Sequence, residues 1–123
     1  MIVAAIQMTS KMDLQENLLM VQVLLEDAKA KGAVLAVLPE NFALLGQGPD
    51  FKSRRLEIQE SLNVGPIQDF LANIAGRLNL WIVAGTVPIK SRDLKRPFAA
   101  CLVFNAQGER IAQYNKIHLF DVV

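Results

Sequence analysis

Two side chains in this sequence stand where a strand would deliver them to a reacting group. Glu40 closes the apolar run Val34-Leu35-Ala36-Val37-Leu38-Pro39, and Lys116 follows Tyr114-Asn115 at the end of the last predicted strand. In open α/β sheets, ligands gather beyond the carboxyl ends of strands. A carboxylate fixed there and partly desolvated would have its pKa raised toward that of a general base. Position alone leaves a loop acid or a helix cap as the ordinary alternative for Glu40. An ammonium near a reacting carbonyl stabilises negative charge as it develops. The ordinary alternative for Lys116 is a surface lysine, but the apolar and aromatic flanks Tyr114, Ile117, Leu119 and Phe120 argue against an open polar face.

Three further residues could join such a site. His118 is the only histidine, and no Ser–Asp or Cys partner is evident near it. A structural role, hydrogen-bonded to backbone beside the site, is the favoured reading. Asp121 could pair with His118 or with Lys116. Cys101 lies inside Ala99-Ala100-Cys101-Leu102-Val103-Phe104. A free Cys in mid-strand behaves as a small hydrophobe, whereas a reactive thiolate needs an exposed, electropositive setting. Cys101 is therefore read as structural.

The elements that must position these groups follow from periodicity. Ile2 to Met8 suits a buried strand. Asp13 opens a helix, with Glu16 three residues on as a capping-box-like partner. Leu14, Leu18, Val21, Leu25 and Ala28 form its apolar stripe, and Gly32 ends it. Residues 34–38 form a second strand, read as fully buried, which Pro39 terminates. Strand, helix, strand implies parallel pairing in one sheet. Residues 42–64 show no clean period; Gly46, Gly48 and Pro49 mark a loop, and residues 51–62 could hold a helical turn or two. Pro66 suits the first turn of another helix, with Ile67, Phe70, Leu71, Ile74 and Leu78 on one face. Strands follow over 80–89 and 98–104, and the Asn105-Ala106-Gln107-Gly108 turn joins the latter to a fifth over 109–114. The fold class is α/β, with a mixed sheet and helices on at least one face.

Composition narrows the function classes. The chain has 123 residues, and no internal repeat or linker divides it, so a single domain is expected. Thirteen basic and 12 acidic residues leave a net charge of +1, which predicts neither nucleic-acid nor membrane affinity. The short basic cluster at residues 90–97 reads as a solvated loop, without the aromatic interleaving of a nucleic-acid groove. A single Cys excludes an internal disulfide and a Cys-based zinc cluster. No signal peptide or membrane-length apolar run is seen, so a cytoplasmic protein is expected. Hydrophobic residues make up 52% of the chain. That excess fits either strands buried on both faces or part of a larger domain whose partner surface is missing.

The motifs Ile6-Gln7-Met8, Leu38-Pro39-Glu40-Asn41-Phe42, Gly85-Thr86 and Asn115-Lys116-Ile117-His118-Leu119-Phe120-Asp121 come in an order and spacing that resembles the nitrilase superfamily of carbon–nitrogen hydrolases. The resemblance spans the whole chain. It implies the N-terminal half of an α-β-β-α sandwich, with helices packed on one face of a mixed sheet, so residues 1–123 would be a partial hydrolase domain. It further implies a Glu-Lys-Cys triad that needs no metal and no organic cofactor, with Glu40 as general base and Lys116 as stabiliser of the tetrahedral intermediates. The nucleophilic Cys of that pattern would follow Lys116, in a segment this sequence does not contain. Residues 38–43 and 118–121 look most like the omega-amidase and deaminated-glutathione-amidase branch, which implies a small carboxylic amide as substrate. Two expectations result. One is an N-terminal piece of an amidase, inactive without the rest. The other is a stand-alone, non-catalytic binding protein. Both predict a homo-oligomer or a domain-swapped assembly.

Overall fold

A computed structural model of the chain describes residues 1–117. The apolar runs form five strands, β1 (Ile2–Ala5), β2 (Ala33–Leu38), β3 (Trp81–Ile89), β4 (Phe98–Phe104) and β5 (Arg110–Asn115), which make one sheet in that order. β1, β2 and β3 run parallel, and β4 and β5 continue the sheet antiparallel. The turn between β4 and β5 is closed by Asn105, whose Oδ1 accepts from the Gln107 and Glu109 N–H groups, and by Gly108 at φ +83°. β1 is shorter than the apolar run to Met8 suggests. Ile6 still donates its N–H to the Val37 carbonyl at 2.9 Å, and the chain then leaves the sheet.

The first helix, α1 (Leu14–Ala30), starts where the capping residue predicts: the Asp13 carboxylate accepts the Glu16 N–H at 3.0 Å. The reciprocal half of a capping box is absent, because the Glu16 carboxylate lies 3.7 Å from the Lys11 ammonium instead. Leu18, Val21, Leu25 and Ala28 are buried, and Gly32 follows the helix end at φ +92°. The segment read as an irregular loop with a turn or two contains α2 (Gly48–Ile58), an 11-residue helix with no buried residue. Its lack of an apolar stripe is why periodicity missed it. α3 (Pro66–Leu78) begins at the predicted proline and buries Ile67, Leu71, Ile74 and Ala75.

α1 and α3 pack on one face of the sheet, over Ala36, Leu38, Ile82, Ala84, Leu102 and Phe104. Side chains alternate along strands, and the register sets Val37, Val83, Val103 and Ala112 in one row across the opposite face, with Cys101 beside Tyr114 in the next. That face stays open: Val37 is 41% exposed and Tyr114 59%. The expectation that β2 is buried on both faces is therefore wrong, because helices cover only one side. Part of the apolar surplus of the composition lies on that outward face, and part on the outer side of α1 at Leu19, Met20 and Val23. Among the described residues, no helix is long and apolar enough to cross a membrane.

Candidate active site

Glu40 leaves the C-terminal end of β2, and Lys116 leaves the C-terminal end of β5. β4 runs against its neighbours, so its start lies at the same sheet edge, and the Lys116 N–H donates to the Ala99 carbonyl there at 2.9 Å. The two side chains, 76 residues apart in sequence, meet directly: the Lys116 ammonium donates to Glu40 Oε1 at 2.7 Å. The Lys116 side chain is 34% exposed and that of Glu40 52%. Glu40 is thus more open to water than the expected desolvated carboxylate. A hydrogen bond from a charged donor at this distance is a strong, oriented contact.

The backbone around Glu40 is tied down on three sides. Asn41 takes a left-handed conformation, φ +56°, which Asn tolerates better than most residues. Its N–H points to the Thr86 hydroxyl at 3.4 Å. Thr86 belongs to β3 at the cis Gly85–Thr86 peptide, where the register against β4 shifts. Farther along, the Phe42 carbonyl accepts from the Ser10 hydroxyl at 3.2 Å, and the Ala43 carbonyl accepts from Asn17 Nδ2 at 2.7 Å. Asn17 also closes a two-way contact with the Lys11 backbone, so one buried amide holds both loops. Sequence reasoning missed Asn17, yet a signal was present: it sits one turn before Val21 on the apolar stripe of α1. Thr86 was marked only by the Gly85-Thr86 motif of the resemblance, since a Thr within a strand is otherwise ordinary.

Two other groups lie close by. Arg55 of α2 is partly buried; burial lowers its pKa from the usual guanidinium range, and the nearby Glu40 carboxylate opposes that shift. Arginine remains charged under such a shift. Cys101 lies within β4, and burial pushes its thiol pKa up. A thiol so disfavoured as thiolate does not suit a nucleophile. His118 and Asp121 lie outside the described residues.

Comparison with known proteins agrees with this architecture. The carbon-nitrogen hydrolase family model matches residues 2–123. A deaminated glutathione amidase from Synechocystis sp. is 36% identical over 120 residues, which is 97% of this chain and 42% of the relative. A chloroplastic omega-amidase from Arabidopsis thaliana is 31% identical over 116 residues, 94% of this chain and 31% of that protein. The crystal structure of the C. elegans NitFhit protein superimposes with a TM-score of 0.81 at 27% identity, covering 98% of this chain and 29% of the other. The chain thus spans less than half the length of the curated relatives it matches. With the sheet order, the helix layer and the family match in agreement, the chain belongs to the carbon-nitrogen hydrolase family, the nitrilase superfamily.

Proposed function

We propose that residues 1–123 are the first part of an amidase that cleaves the non-peptide C–N bond of a small carboxylic amide, with Glu40 as general base and Lys116 as stabiliser of the tetrahedral intermediates. The observation that carries this reading is the 2.7 Å contact between the Lys116 ammonium and the Glu40 carboxylate at the strand ends. The nucleophile would be a Cys beyond Val123. Glu40 takes the thiol proton, the sulfur adds to the amide carbon, and Lys116 stabilises the oxyanion. The C–N bond then breaks as Glu40 returns the proton to the leaving ammonia. Water hydrolyses the thioester by the same groups in reverse order. Cys101 does not suit that role, because it lies within a strand and partial burial raises its thiol pKa. The two named residues and the absent thiol supply all the proton transfers, so no metal or organic cofactor is required.

The variants Glu40→Gln and Lys116→Ala in the intact protein are the direct test. Each is expected to lower kcat by about a thousandfold or more, with the melting temperature nearly unchanged, as for loss of a group acting in the transition state. Turnover retained in either variant would remove that residue from its role. The open sheet face supports a second reading, a non-catalytic protein stabilised by self-association. The intact mass of the native protein separates the two. A mass near twice that of this chain supports the amidase; 13.6 kDa supports the second.

A further inference from the structure

The candidate site holds more positive charge than its two named residues need. α2 starts from the loop after Glu40 and ends just before Glu60, which is itself pinned to the end of β3. The Glu60 N–H donates to the Pro88 carbonyl at 3.0 Å, and its carbonyl accepts the Lys90 N–H at 2.8 Å. The C-terminal end of α2 is therefore held to the sheet edge that carries Glu40 and Lys116, and Ile58 packs against the core, although none of the helix residues is fully buried.

Its two adjacent arginines behave differently. Arg54 faces outward, 3.6 Å from Glu57. Arg55 is partly buried, and among the described residues no carboxylate comes within salt-bridge distance of it. An arginine in a last turn ordinarily interacts with the helix dipole from solvent. That role needs no desolvation, and desolvation of a cation is costly. Glu40 is already paired with Lys116 at 2.7 Å, so their charges cancel and the Arg55 charge is left over. A guanidinium presents a planar fork that matches a carboxylate.

We propose that Arg55 is a specificity-determining residue, binding a carboxylate that the substrate carries apart from its scissile amide. This rests on the amidase reading above. The test uses the intact native protein and two amides of equal length, succinamate, which has the carboxylate, and butyramide, which ends in a methyl group. The wild type is expected to prefer succinamate. Arg55→Met is expected to raise KM for succinamate about ten- to hundredfold, and to leave that for butyramide within about twofold. Arg55→Lys keeps the charge without the fork and should recover part of the preference. Turnover of both amides with a preference unchanged by Arg55→Met overturns the inference alone. An equal loss on both amides also overturns it, since Arg55 would then act through Glu40. No turnover of either amide by the wild type overturns the amidase reading and this inference together.

Discussion

Glu60 is the least ordinary ionisable residue among those described. It is 5% exposed, and its carboxylate accepts the Ile67 N–H at 2.6 Å, the Gln68 N–H at 3.1 Å and Gln68 Nε2 at 3.0 Å. The two backbone N–H groups are free donors of the first turn of α3, so a side chain six residues before the helix serves as its cap. Gly65 leaves the room for it: a Cβ there would overlap the Glu60 carboxyl group, and φ +145° also disfavours any other residue. Burial raises the Glu60 pKa above its usual value of 4.5, the three hydrogen bonds oppose this, and the Asp69 charge adds to the rise. The native state therefore holds more protons than the unfolded chain in the interval between the two pKa values. Stability from this group is fully present below the unfolded value and is lost as pH rises through the folded one. Urea unfolding across that interval should show stability falling with pH, and Glu60→Gln should flatten that part of the profile. An unchanged profile would mean the carboxylate is ionised throughout. Glu60→Ala should cost on the order of 3 kcal/mol at neutral pH, because it leaves buried donors of α3 without an acceptor.

Among the elements, α2 contrasts with α1 and α3. The latter two are amphipathic and buried on one stripe, whereas α2 has no fully buried residue and its N-cap Gln47 makes no capping hydrogen bond. An 11-residue helix is marginal in water without tertiary support. That support is slight: Ile58 packs against the core, Asn17 and Ser10 hold the loop before the helix, and Glu60 holds the segment after it. Amide hydrogen exchange over residues 52–58 should accordingly be about a hundredfold or more faster than over residues 18–28 of α1, as for local opening well below the global free energy. Comparable protection in both helices would show that α2 is covered in solution. The consequence for Arg55 is direct, since any motion of α2 moves its guanidinium relative to Glu40.

At the scale of the whole molecule, the decisive feature is a sheet that carries helices, among the described residues, on one face only. Val3, Val37, Trp81 and Tyr114 each expose a large part of an apolar or aromatic side chain. An open apolar surface of this kind favours association in water. The isolated 123-residue chain is expected to sediment as a dimer or larger species. Val37→Lys and Tyr114→Lys should shift it toward monomer without unfolding, since both side chains already face solvent. A monomer over the whole accessible concentration range would contradict this expectation.

The succession of the five strands with α1 and α3, both ends of α1, the start of α3, and the placement of Glu40 behind a strand were legible from residue order. Capping groups, prolines and helical stripes act over a few residues, so they leave a local mark. The family resemblance was legible for a related reason, since its motifs are short and their order is linear. What lay beyond residue order depends on contacts between distant segments. β2 reads Ala33-Val34-Leu35-Ala36-Val37-Leu38, apolar at every position, so no alternation marks which residues face the helices. α2 has no stripe to betray it. The resemblance joins Glu40 and Lys116 in one site, but their direct contact, the hold of Asn17 on the loop after Glu40, and the approach of Arg55 to that carboxylate depend on the tertiary fold. Those are properties of the folded chain, because only cooperative burial of one face selects a single register from the many that an all-apolar strand permits.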